Sequence, residues 1–298
     1  PLAPHPTSPK LEDTQDWTEF SPSATVTMFA PESWTDGFVN SAMLYVTYSE
    51  GFKAGGFSDF GLDEPTVFDP EIVQNTEFGF KMELADNRVR MNGAIYSMDY
   101  DDLQLGVTRI FGELDTKFGI TNAGNAKMQG VELELVFVPT ANLYLSFTGS
   151  YIDAEYKEFD DEFVNSDGDV ELTDRTAESF NGLPEQTYSW VAQYDWDTNF
   201  ALITPRISGY YKDEIYIGQE PAAFLFEDDA TLDSYTVWNA RVAIASHQVE
   251  GLEVAFYANN FTDEFFYGTG NVNASNIGAA SVIRGKPKSY GIELFYAW

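Results

Sequence analysis

Apolar and polar residues alternate with a period of two along most of this chain. In its last segment Tyr290, Ile292, Leu294, Tyr296 and Trp298 alternate with Gly291, Glu293, Phe295 and Ala297. A period of two puts the first set on one face of a strand and the second on the other. The same grammar recurs in Phe78–Leu84, Val131–Phe137, Leu143–Tyr151, Trp238–Ile244 and Leu252–Ala258. Glu77, Lys81 and Glu83 interleave with Phe78, Phe80, Met82 and Leu84, and Glu132 and Glu134 with Val131, Leu133 and Leu135. Charge stays on one face. A lumen on one side and lipid on the other produces this pattern, and so does a half-buried soluble sheet. Tyr188, Trp190, Tyr194 and Trp196 share one face, as in the aromatic girdles of membrane barrels.

Connection lengths separate the two cases. The turns at Ala85–Asn87, Pro139–Asn142, Asp197–Asn199 and His247–Gly251 are short. Between them run long polar segments without a strong strand pattern, about Gly51–Pro70, Leu105–Thr121, Asp153–Gln186, Glu214–Asp233 and Gly268–Lys286. So many long loops argue against a compact soluble domain. They suit an outer-membrane barrel with short periplasmic turns and long extracellular loops. About eleven strands are expected, starting near Trp17, Ser41, Gln74, Arg88, Asn122, Leu143, Thr187, Ala201, Ser234, Leu252 and Lys288. Residues 1–16 read as a loop or tail. An odd count leaves the first and last strands parallel, while bacterial single-chain barrels close with even counts. The expectation is therefore that an N-terminal part lies outside this chain. The opening Pro1–Pro6 also lacks a signal-peptide pattern.

Composition adds exclusions. No stretch of roughly 18 apolar residues offers a transmembrane helix, and the mean hydropathy is −0.26. Alternating barrel strands keep that value low. The chain of 298 residues has no cysteine, 48 acids and 16 bases, for a net charge of −32. Such a polyanion makes nucleic acid an unsuitable partner. Catalysis finds no support: His5 and His247 stand far apart in sequence, with no nucleophile motif and no phosphate loop.

Several stretches then carry a family resemblance. The terminal aromatic at alternating spacing resembles the C-terminal signal of bacterial outer-membrane barrels. Tyr45-Val-Thr-Tyr-Ser-Glu-Gly-Phe-Lys-Ala-Gly-Gly-Phe57 resembles a stretch of TonB-dependent outer-membrane receptors. Pro70-Glu71 with Asn75–Lys81, Asn92–Gln104, Asn122–Glu134 and Asn259–Glu264 resemble further segments of that family, in its order. The resemblance implies an all-β, antiparallel transmembrane β-barrel. Residues 17–298 would be the C-terminal part of the barrel domain, the second half of a 22-stranded barrel. The plug domain and TonB box would lie outside this chain. It further implies a bacterial outer-membrane location and energy-coupled uptake of a scarce nutrient, a ferric siderophore or other iron complex. Implied partners are outer-membrane lipid and lipopolysaccharide, and TonB-ExbB-ExbD through the missing part. Inward charges near the periplasmic side would bind the plug; Glu77, Glu83, Arg88, Arg90, Glu132, Glu134, Arg241 and Glu253 are placed inward.

One loop stands out for chemistry. Asp153–Glu178 holds eleven acids against Lys157 and Arg175. Within it Asp167, Asp169 and Glu171 alternate around Gly168, a spacing that offers oxygens to Ca²⁺. A solvated acidic loop is the plainer reading. The aromatics Phe159, Phe163, Tyr216, Phe224, Phe226, Phe265, Phe266 and Tyr267 are placed in loops, to stack on a ligand or on one another. Two alternatives remain beside the receptor: a passive porin-like barrel, and a secreted soluble β-sandwich that binds a partner.

Overall fold

The computed structural model describes residues 14–35, 37–58, 66–111, 115–122, 124–164, 170–218, 231–273 and 279–298. Eleven strands follow one another: β1 Ser23–Phe29, β2 Val39–Lys53, β3 Glu71–Leu84, β4 Val89–Asp101, β5 Asn125–Thr140, β6 Leu143–Glu158, β7 Gln186–Tyr194, β8 Ala201–Lys212, β9 Tyr235–Ser246, β10 Leu252–Asn259 and β11 Ser289–Tyr296. Each pairs antiparallel with the next, in one sheet whose spatial order is the chain order. Trp196–Asp197 adds a two-residue piece against β8. This meander is the up-and-down topology expected of a barrel wall. Among the described residues no second sheet packs against it face to face, as a sandwich requires.

Ten of the eleven strands begin within three residues of the positions read from the alternation. The first begins at Ser23 rather than near Trp17. Pro22 precedes it and has no N–H to give to a ladder. Its carbonyl still accepts from the Glu50 N–H at 2.9 Å. Residues 1–13 of the proposed tail lie outside the described residues.

The tight turns are where the sequence puts them. Ala85, Asp86 and Asn87 all adopt positive φ, at 54°, 58° and 62°. Asp and Asn tolerate this region best among non-glycine residues, and such turns match the twist of a hairpin. The long connections are a correction. Each carries a small antiparallel ladder: Gly56–Ser58 with Thr66–Phe68, Gln104–Phe111 with Asp115–Asn122, Asp160–Val164 with Val170–Asp174, Ile215–Tyr216 with Thr231–Leu232, and Tyr267–Asn273 with Ala279–Arg284. These ladders satisfy backbone groups that an irregular loop would leave to water.

Register decides what each face carries. One row runs Val46, Phe78, Ile95, Val131, Tyr151 across β2 to β6. Another runs Ala42, Met82, Met91, Leu135, Phe147, Trp190, Gly209, Trp238 across β2 to β9. A third joins Val242, Phe256 and Ile292 on β9 to β11. No charged residue interrupts these rows. Their side chains stand uncovered, with Ile95 53%, Val131 47% and Ile292 68% exposed. Apolar surface this continuous is unstable against water and stable against hydrocarbon. Trp190 and Trp238 meet edge to face at 5.1 Å above Gly209. Tyr194 and Trp196 sit at the opposite, short-turn end of the same face. The buried apolar cluster lies elsewhere, in Leu103, Ala126, Tyr156 and Phe159 near the long-loop ends of β4 to β6.

Candidate ligand vestibule and lumenal wall

The second face of the sheet carries the charge. Tyr45 donates to Glu77 at 2.6 Å. Its ring lies over Gly79, its register partner, where a Cβ would fall 2.3 Å from the ring. Tyr96 over Gly130 and Tyr257 over Gly291 repeat the device, with clearances of 2.4 and 2.5 Å. Glycine is needed at each position because the phenol ring occupies the space of any side chain. The rings thereby lie close against the sheet.

Carboxylates line the wall beside them. Asn92 donates to Glu134 at 2.9 Å, and Ser41 donates to Glu83 at 3.2 Å. Arg90 stands 3.9 Å from Glu134. The Glu132 carboxylate makes no hydrogen bond or ion pair with the described residues. Together with Tyr45, Lys81, Asn92 and Glu134 it borders a groove of about 450 Å³. Across the sheet, Arg241 donates to Glu253 at 2.9 Å and to Glu293 at 3.3 Å. Arg206 pairs in register with Arg241.

Of the residues expected to point inward, Glu77, Glu83, Arg90, Glu132, Glu134, Arg241 and Glu253 share this face by register. Arg88 does not belong to the wall: it precedes β4 and donates to the Pro139 carbonyl at 3.4 Å, bracing two turns. Tyr45 and Arg206 escaped the sequence reading. The Tyr45–Gly79 pairing across β2 and β3 was the missing signal, and only the register supplies it.

Above the wall, the long-loop ends are clasped by side-chain amides, two of them buried. The Gln104 side chain donates to the carbonyls of Lys53, Ala54 and Asp69 at 3.3, 3.0 and 3.0 Å. Asn122 donates to the Asp69 and Asp102 carbonyls at 3.0 and 2.8 Å, and accepts from the Asp69 N–H at 2.7 Å. On the other side Asn260, 2% exposed, donates to the carbonyls of Glu264 and Lys286 at 2.8 and 3.2 Å. It also accepts from the Glu264 N–H at 2.9 Å. The resemblance segments Asn92–Gln104, Asn122–Glu134 and Asn259–Glu264 thus contain the residues that root the loops.

Aromatic side chains then fill the vestibule. Tyr156 stacks on Phe180 at 4.1 Å and tilts against Phe159 at 4.9 Å. Arg175 lies over the Phe159 ring at 4.4 Å and grips Glu178 with two nitrogens at 2.7 and 2.8 Å. The Thr176 hydroxyl and backbone N–H hold the Asp174 carboxyl below the usual carboxylate range. The Gly182 N–H reaches the Tyr216 carbonyl at 2.7 Å, tying this segment to the next hairpin. Phe266 stacks on Tyr235 at 4.1 Å, and Phe265 meets Tyr267 edge-on at 5.2 Å. Phe159 and Phe266 thus pack on the strand-end aromatics Tyr156 and Tyr235, and Phe265 and Tyr267 on each other, while Tyr216 borders two cavities. Phe224 and Phe226 lie outside the described residues, as does the Phe163 side chain.

For the Ca²⁺ reading, Asp167 and Asp169 lie outside the described residues. Glu171 stands in a ladder opposite Phe163. Among the described residues no cluster of three His, Cys, Asp or Glu side chains is arranged around a metal.

Comparisons with known proteins agree with this geometry. Residues 5–261 match the family model described as TonB dependent receptor-like, beta-barrel. A curated relative is the ferrichrome outer membrane transporter/phage receptor of Escherichia coli (strain K12). It is 25% identical over 240 residues, which are 78% of this chain and 28% of that protein. Among solved structures, the ferric yersiniabactin uptake receptor FyuA from Yersinia pestis aligns over 93% of this chain and 36% of its own. Its TM-score is 0.65 at 19% identity. The siderophore receptor PiuA from Acinetobacter baumannii aligns over 92% and 35%, with a TM-score of 0.66 at 18% identity. The chain spans about a third of the length of these proteins.

Proposed function

We propose, because this chain belongs to the TonB dependent receptor-like β-barrel family, that it is barrel wall and vestibule of an outer-membrane receptor for energy-coupled uptake of an iron complex. The observation that carries this is the division of one sheet into an uncovered apolar face and a charged face that leads into an aromatic vestibule. Lipid and lipopolysaccharide surround the apolar face. The vestibule captures the ferric complex. A plug supplied by the remaining part of the receptor fills the lumen, and Glu77, Glu132 and Glu134 accept its cationic groups. TonB, driven by ExbB and ExbD, acts on that plug. The wall's residues position and enclose; none of them is asked to make or break a bond.

Transport separates this from the passive porin-like reading. Iron-starved cells producing the full-length receptor should accumulate a radiolabelled ferric chelate, and collapsing the proton gradient should abolish accumulation. Uptake that continues unchanged in de-energised cells would establish the passive barrel instead. The soluble sandwich is disfavoured by the uncovered rows of Val46 to Tyr151, which detergent-free water would drive to aggregate.

A further inference from the structure

Two adjoining cavities open on the vestibule. The first, of about 310 Å³, lies among Leu105, Val107, Tyr156, Phe159 and Arg175. The second, of about 240 Å³, lies among Ile152, Phe180, Leu183, Glu185, Asp213 and Glu214. Ser179 and Tyr216 border both, so the two are neighbours along the rim. Ile152 and Tyr156 belong to the lumenal side of β6, the face that also carries Thr148 and Ser150. The space therefore faces incoming cargo. The floor is aromatic and aliphatic, and the first cavity reaches the size of a small-molecule site, for which about 300 Å³ is the lower bound, while the second adds a smaller acidic recess beside it.

Among the described residues that line this space, charge is one-sided. Its cation, Arg175, has its guanidinium edge on Glu178 and its flat face on Phe159. It is only 9% exposed. A bidentate carboxylate and a covering ring leave it little to give an anion. Glu185, Asp213 and Glu214 have no ion-pair partner among the described residues; Asp213 accepts from the Tyr211 hydroxyl at 2.9 Å. An anionic cargo would lose hydration and meet three uncompensated carboxylates, whereas a cationic or neutral one would not.

We infer that the cargo is a metal complex with an apolar, neutral or cationic surface, and that polyanionic complexes are excluded by Glu185, Asp213 and Glu214. This rests on the uptake reading above and narrows its substrate class. Ferric iron held by three singly charged hydroxamates is neutral, and an added ammonium group makes it cationic. Held by three doubly charged catecholates, it is triply anionic. The first two fit this half of the vestibule and the third does not.

The test is binding by the full-length receptor in detergent, followed by quenching of its tryptophan fluorescence. Three probes are titrated: a neutral ferric tris-hydroxamate, an ammonium-bearing one and a ferric tris-catecholate. The neutral and cationic complexes should bind at least about tenfold tighter than the trianion at low salt, with the gap narrowing as salt rises. The variant Glu185→Gln/Glu214→Gln leaves the Asp213 hydrogen bonds in place and should narrow the gap several-fold; adding Asp213→Asn should narrow it further. Tighter binding of the tris-catecholate overturns the inference and leaves the uptake reading standing. An unchanged gap in both variants overturns the assignment to these three carboxylates. Failure of every ferric complex to bind overturns both the inference and the uptake reading.

Discussion

Replacing Asn260 with alanine should lower the unfolding free energy by about 4 kcal/mol, because each buried polar group left unpaired costs about 1–3 kcal/mol. Three main-chain groups lose their partner at once: the Glu264 N–H and the carbonyls of Glu264 and Lys286. The site is 2% exposed, so water cannot easily replace the amide. Asn260 also has φ of 47°, a conformation that costs alanine more than asparagine. The clasp fixes the segment between β10 and the Tyr267–Asn273 strand. Hydrogen exchange at Phe261–Glu264 should therefore accelerate along with an earlier midpoint in guanidinium, measured in lipid vesicles. Asn260→Asp keeps the acceptor for Glu264 but turns both donated bonds into carboxylate–carbonyl contacts at a buried site, and should cost at least as much as alanine at neutral pH. Unchanged exchange in the alanine variant would show that the loop is held by other contacts.

Leu133→Arg should cost about 2–4 kcal/mol of stability in a bilayer, the range for a cation near the midplane of a barrel's lipid face. Leu133 lies between Gly93 and Gly149 in its row, so no neighbouring side chain can pair with an arginine there. Its sequence neighbours Glu132 and Glu134 face the other way. Glu134→Gln keeps shape and the Asn92 contact, giving up an Arg90 pair that is about half exposed and 3.9 Å long. Exposed pairs of this kind contribute about 0–1 kcal/mol. Folding titrations of both variants in vesicles should therefore differ several-fold in their loss. Comparable losses would remove the distinction between the faces.

The sheet was legible because a period of two survives through the middle and short-turn half of most long strands. Lipid on one side and a polar lumen on the other select residues independently of distant partners. Glu77, Lys81 and Glu83 could thus be assigned a face from sequence alone. What could not be read depends on register or on distance. The Gln104 side chain meets Lys53, Ala54 and Asp69, roughly fifty and thirty-five residues away. Nothing in a local pattern announces that a glutamine will be buried by three carbonyls. The loop hairpins were hidden for a related reason: their strands are short or rich in Gly, Thr and Asp, so backbone pairing rather than side-chain alternation defines them. Arg175 looked like one of two bases in an acidic loop; its burial against Phe159 comes from tertiary packing. Arg88 went wrong because parity continues past the end of a strand while the ladder does not.

These 298 residues hold no cysteine, so with any cysteine elsewhere in the receptor replaced, the central claim is directly measurable. Single cysteines placed in turn from Val131 to Phe137 in the full-length receptor, reconstituted in vesicles, would be reacted with a charged, water-soluble maleimide. The sheet described here predicts a two-residue rhythm: 132, 134 and 136 react, while 131, 133, 135 and 137 are protected by lipid and yield only to an apolar reagent. Uniform reaction along the segment, or the opposite parity, would contradict a barrel wall with its charged face inward.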